Sequence, residues 1–120
     1  MIAVSDTSPI CYLVLIGEVE LLPKLYGKVV APQAVITELR HEVSAEAVRT
    51  WTSNLPSWIS VQENPGGATT GMEKLHAGEP SAILLAESIH AGMILLDEKS
   101  ARRVAADRGL QITGTLGVLG

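Results

Sequence analysis

The 120-residue chain has no phenylalanine, and its aromatic residues are Tyr12, Tyr26, Trp51 and Trp58. With so few rings and 47% hydrophobic residues, the core must be aliphatic, built from Leu, Ile, Val and Ala. Short aliphatic runs suit a parallel sheet covered by helices on both faces. One cysteine, Cys11, excludes an intrachain disulfide and a cysteine-based zinc site. Set in Ile10-Cys11-Tyr12-Leu13-Val14, it reads as a buried structural thiol. His41, His76 and His90 fall on separate segments and read as structural or solvated. Positive charge is scarce: nine Lys and Arg against thirteen Asp and Glu leave a net charge of −4, the wrong balance for a nonspecific DNA-coating protein. The longest helical apolar stretch, Pro9 to Ile16, falls short of the roughly 20 residues of a membrane span, and no basic-then-apolar leader opens the chain. The expectation is one reduced, cytoplasmic domain with no membrane partner.

Apolar runs and breakers then set an order of elements. Ile2-Ala3-Val4 predicts a strand, followed by a Thr7-Ser8-Pro9 turn and a helix to Ile16, broken at Gly17. Val19 to Tyr26 predicts a second helix, stopping at Gly27. Val29-Val30-Ala31 predicts a strand closed by Pro32, with helices at Gln33 to His41 and Ala45 to Thr52 after it. Trp58 to Val61 is a short strand, and Asn64 to Gly71 is a loop. A helix opens near Glu79-Pro80 and ends at Gly92, and Met93 to Leu96 is a strand closing on Asp97-Glu98. Ser100 to Arg108 is helical up to Gly109, and Leu110 to Thr113 is a last strand before Gly114 to Gly120. This alternation predicts a three-layer α/β/α sandwich on a central parallel sheet. All strand C-termini then lie on one edge, where such folds carry their sites. Asp6 and Asp97 each follow a predicted strand and belong on that edge.

Four acids stand in apolar surroundings: Asp6, Glu38 beside Val35, Ile36 and Leu39, Glu79 at a helix start, and Asp97 at a strand end. Each has an ordinary explanation alone. Asp6 or Asp97 could cap a helix, Glu79 could favour a helix dipole, and Glu38 could face solvent. Together they offer the oxygen ligands that Mg²⁺ or Mn²⁺ takes, and clustered carboxylates repel unless a cation or proton is shared among them.

The segments Val4-Ser5-Asp6-Thr7-Ser8-Pro9, Pro32 to Leu39, Gly78-Glu79-Pro80-Ser81-Ala82-Ile83 and Leu95 to Ala105 together resemble a PIN domain. More narrowly the chain is similar to VapC-like toxin ribonucleases, in a subgroup ending in Thr-Gly-Thr-Leu-Gly, as Thr113 to Gly117 do. The resemblance implies a single PIN-like domain over residues 1–120 that ends where relatives commonly carry a further C-terminal helix. It implies an acidic quartet of Asp6, Glu38, Glu79 and Asp97 that is catalytic and holds Mg²⁺ or Mn²⁺, with Ser8 as the small hydroxyl residue after the first aspartate. Relatives often carry a second aspartate where this chain has Glu98, so the metal ligand is Asp97 or Glu98. The implied activity is hydrolysis of RNA phosphodiester bonds without a protein nucleophile. The implied partners are an RNA substrate, an antitoxin protein and a second copy in a homodimer. Leu21, Leu22 and Leu25 with Tyr12 form an apolar face suited to that dimer. Lys99, Arg102 and Arg103 share a helical face beside the acids and are candidates for RNA contact.

A phosphatase with an aspartate nucleophile would need a second acid at position 8, which is Ser. A receiver domain would want paired acids after the first strand. The glycines near the C-terminus form no dinucleotide fingerprint, and no phosphate-binding loop occurs. The competing reading is a catalytically silent PIN fold that binds RNA or protein.

Overall fold

The aliphatic strands assemble into one sheet with both faces buried, and residue alternation assigns each side chain to a face. The computed structural model describes residues 1–41, 44–63, 66–76 and 78–120. In chain order the elements are β1 (Ile2–Ser5), α1 (Thr7–Leu15), α2 (Leu21–Tyr26), β2 (Lys28–Pro32), α3 (Gln33–Leu39), α4 (Glu46–Ser53), β3 (Ile59–Gln62), α5 (Gly78–Ser88), β4 (Met93–Leu95), α6 (Lys99–Asp107), β5 (Ile112–Thr113) and α7 (Thr115–Leu119). The sheet order is β3-β2-β1-β4-β5, and every pairing is parallel.

Side chains on a strand point alternately to opposite faces. Ala3, Val29, Ala31 and Leu95 therefore join one aliphatic cluster with Ile10, Leu13, Leu22, Val35, Ile36 and Val48. Val4, Val30 and Ile94 join the other, with Ala82, Ile83, Leu85 and Ala101. Helices α1 to α4 and α7 thus cover one face and α5 and α6 the other, the expected three-layer sandwich. The strand order reverses direction between β1 and β4, a switch point where open α/β sheets place their ligands. There the Asp6 N–H donates to Leu95 O at 3.1 Å, extending the β1–β4 pairing by one residue.

Several expectations are corrected. The helix expected to run to His41 stops at Leu39. The helix expected to end at Gly92 ends at Ser88, and its reversal falls on His90, which takes φ 52°. The Ala91 N–H then reaches back to Ala86 O at 3.0 Å, closing the helix terminus. Gly92 is used otherwise: its N–H donates to Ile2 O at 2.9 Å, and a Cβ there would stand 2.6 Å from Met1 Cγ. The C-terminal segment after Thr113, given no element from the sequence, forms α7 and seats the buried Val118 in the core. Cys11 is half-buried rather than buried, and burial still raises its pKa. Leu22, expected on an exposed apolar face, is fully buried. Asn64 and Pro65 of the expected loop lie outside the described residues. Among the described residues, no helix is long and apolar enough to cross a membrane.

Candidate metal centre

The C-terminal ends of β1 and β4 bring Asp6, Asp97 and Glu98 to one edge of the sheet. Helices α3 and α5, from opposite layers, meet over that edge and add Glu38 and Glu79. Gly78, the first residue of α5, is what allows the close approach. A Cβ there would lie 2.6 Å from Glu38 Oε1, 3.1 Å from Asp6 Oδ1 and 3.1 Å from Thr7 Oγ1. A cavity of about 250 Å³ opens at this point, walled by Asp6, Ser8, Glu38, Glu79 and Glu98, with Thr7, His76 and Gly78 completing it.

Asp6 is the most constrained of the acids. It occupies the N-cap position of α1, yet its side chain makes no capping hydrogen bond. Its Oδ1 is buried without a hydrogen-bond partner among the described residues, as is Thr7 Oγ1. Burial is the main reason its pKa is pushed up from 3.8 to about 7. The nearby Thr7 N–H opposes part of that shift, and the charges of Glu79, Glu38 and Asp97 add to it. A buried carboxylate oxygen with no donor is costly unless a proton or a cation meets it.

The other acids differ in how free they are. Glu79 is buried, and its Oε1 accepts the His76 N–H at 2.8 Å while its own N–H donates to His76 O at 3.0 Å. This reciprocal pair fixes the start of α5 much as a capping box does. Glu38 is exposed and leans over Gly78. Asp97 is otherwise engaged: Oδ1 accepts the Thr115 N–H at 2.7 Å and Oδ2 accepts the Thr115 hydroxyl at 2.6 Å. It lines a different cleft, with Tyr12, Arg102 and Thr115, while Glu98 lines the acidic cavity. Among the described residues, no three His, Cys, Asp or Glu side chains are already gathered tightly enough to hold an ion. The acids wall the cavity rather than meet at a point.

The basic trio is divided. Lys99 and Arg103 line one cleft with Lys74, and Arg102 lines the cleft that contains Asp97. Thr7, His76 and Gly78 were missed as cavity residues. Thr7 and Gly78 lie inside segments already singled out, Asp6 to Pro9 and Gly78 to Ile83. His76 carries no sequence signal and arrives through the loop before α5.

The sequence model of one protein family, described as a PIN domain, matches residues 2–120 and so takes in every element above. No curated protein matches the chain.

Proposed function

The chain belongs to the PIN-domain family, whose members are generally nucleases that use divalent ions, and from that premise we propose that it is a metal-dependent endoribonuclease. One observation carries the reading: four carboxylates wall one cavity at the switch point of the sheet, and one of the two buried ones, Asp6, presents an oxygen with no partner among the described residues. Nothing in the fold requires that arrangement, since Asp6 closes no helix cap. An oxygen-only donor set suits Mg²⁺ or Mn²⁺ over softer metals. We assign the ligands as Asp6, Glu38, Glu79 and Glu98. Asp97 instead holds the start of α7 and adds negative potential from behind.

When bound, a divalent ion supplies charge for a phosphodiester oxygen and lowers the pKa of a coordinated water. The chain's own residues do the rest. Asp6 and Glu79 are held by the strand end and the start of α5, so they form the fixed side of the cavity. Glu38 and Glu98 are exposed and supply the adjustable side. The Ser8 hydroxyl and the His76 side chain border the cavity and can donate to phosphate oxygens of RNA. The acidic walls repel a bare polyanion, so cleavage depends on a cation being present.

The finer reading is that of a toxin, held in check by an antitoxin protein and paired as a homodimer. A small gene immediately upstream and growth arrest on expression, abolished by Asp6→Asn, would support it. The decisive experiment is cleavage of single-stranded RNA by purified protein with Mn²⁺, with chelator, and with Asp6→Asn. Cleavage by wild type with Mn²⁺ alone is expected, and intact RNA in every arm would sink the reading. A silent binding module is the second reading. It draws on the acids not being gathered at a point and on the His76 N–H already engaging Glu79.

A further inference from the structure

Beside the acidic cavity lies a second cleft of about 610 Å³, between the segment carrying Gly71, Glu73 and Lys74 and the first half of α6. Lys99 and Arg103 stand one helical turn apart on α6 and face it together, with Lys74 across from them. In a chain of net charge −4 this is an unusual concentration of cations. None of the three is engaged in an ion pair or side-chain hydrogen bond among the described residues. Arg108, by contrast, is held by Glu87 at 2.7 Å and by Ala68 O. The one acid in the cleft, Glu73, accepts a long hydrogen bond from the Gly71 N–H at 3.4 Å. Ser100 adds a hydroxyl, and the first turn of α6 has no side-chain cap on its free N–H groups. Those groups favour an anion.

The linings of this cleft and of the acidic cavity are neighbours along the chain. Lys99 follows Glu98, which lines the cavity, and Lys74 lies two residues before His76, which lines it too. Leu75 and Val104 give the cleft an apolar strip, useful against an unpaired base and of no use to free phosphate. We propose that this cleft carries the phosphodiester backbone of a single-stranded RNA, gripped by Lys74, Lys99 and Arg103, and leads it to the acidic cavity. The inference rests on the nuclease reading for the direction of the strand and stands apart from it for binding. Cations a short way from the acidic walls resolve the conflict between an anionic substrate and an anionic site: affinity comes from one cleft and cleavage from the next.

The test is fluorescence anisotropy of a labelled single-stranded RNA oligonucleotide, in chelator, across a salt series. The combined Lys74→Gln, Lys99→Gln and Arg103→Gln variant should bind at least tenfold more weakly. Its salt dependence should flatten by about two in the log–log slope, at about 0.7 for each lost phosphate contact. All three residues are exposed, so the variant should keep the wild-type thermal midpoint. Lys28→Gln, at the opposite edge of the sheet, should change affinity less than twofold. Arg103→Glu alone should weaken binding more than Arg103→Gln. Wild-type affinity and slope in the triple variant, an equal loss in Lys28→Gln, or no RNA binding by wild type would each overturn the proposal. If the triple variant loses binding but wild type leaves RNA intact with Mn²⁺, the cleft stands and the nuclease reading falls. If wild type cleaves and the triple variant keeps its KM, the cleft is overturned and the nuclease reading stands.

Discussion

Thr115 grips both oxygens of Asp97, the backbone N–H holding Oδ1 at 2.7 Å and the hydroxyl holding Oδ2 at 2.6 Å. The pair ties the end of β4 to the start of α7, whose Val118 fills the core below. Asp97 and Glu98 are neighbours in sequence, yet Asp97 is tied to Thr115 while Glu98 lines the acidic cavity. Asp97→Ala should therefore cost about 1–3 kcal/mol, because it strips two partners from a half-buried pair. Glu98→Gln, at an exposed position, should stay within about 0.5 kcal/mol of wild type and yet lose RNA cleavage. Urea unfolding and a cleavage assay on the two variants check this. The assignment of Glu98 fails if Glu98→Gln cleaves normally while a folded Asp97→Asn does not.

Gly78 bears on both stability and activity through one close approach. An alanine there would push a methyl group against Glu38 Oε1, Asp6 Oδ1 and Thr7 Oγ1. Glu38 is exposed and can swing away, but Asp6 Oδ1 and Thr7 Oγ1 are buried 3.1 Å from the added carbon, and at the first residue of α5 alanine gains little as a helix former. Gly78→Ala should thus fold with a slightly lowered unfolding midpoint. Cleavage should fall at least tenfold, because the methyl group occupies the cavity. Full activity in Gly78→Ala would show that the reacting phosphate lies elsewhere.

Much of this was legible in the sequence, and the reason is physical. Runs such as Val29-Val30-Ala31 and Ile94-Leu95-Leu96 must be buried on both faces, so the sheet and its layers follow from composition. Asp6 and Asp97 had to share an edge once β1 and β4 ran parallel. Glu38 and Glu79 were placed by resemblance, since helical spacing alone left Glu38 free to face solvent. Other features rest on long-range contacts that no local pattern encodes. Gly92 looks like a helix stop but serves the close passage of Met1. His90 takes the left-handed turn without being glycine. The glycines around Thr115 hide a helix whose N-terminus is satisfied by Asp97, 18 residues earlier.

Self-association is open to direct test. Tyr12, Leu15 and Ile16 on or just after α1 are about half exposed, and Leu116 on α7 is 84% exposed. Helices α1 and α7 pack together, and Tyr12 and Leu116 border the same cleft of about 580 Å³. This surface, rather than the buried Leu22, is the one suited to a symmetric dimer. Wild type should sediment as a dimer at tens of micromolar, and the Tyr12→Ser, Leu116→Glu double variant as a folded monomer. A wild-type monomer at that concentration would remove the dimer from the picture.

The last prediction concerns Asp6, where burial, charge and metal meet. Its folded pKa of about 7 lies above the ordinary 3.8, so between those values the folded state binds more protons than the unfolded state. Asp6 therefore favours folding fully below about pH 4, and its contribution is lost as pH rises through about 7. At about 1.4 kcal/mol per pH unit, the interval sets an upper bound on the order of 4 kcal/mol. In chelator, the thermal midpoint of wild type should fall relative to Asp6→Asn as pH rises from 5 to 8, and the variant should be the more stable protein at pH 8. A cation replaces the proton, so Mn²⁺ should stabilise wild type at pH 8 and raise its midpoint, with a gain of about 2.7 kcal/mol in unfolding free energy at a hundredfold excess over its Kd. Asp6→Asn should gain much less, and it should not cleave RNA. A simple helix cap would give a different pattern, with little change on substitution by Asn, itself a good cap, and no response to Mn²⁺. If Mn²⁺ moves neither midpoint across that pH range and RNA stays intact, the four acids are not a metal centre and the silent binding module becomes the better account.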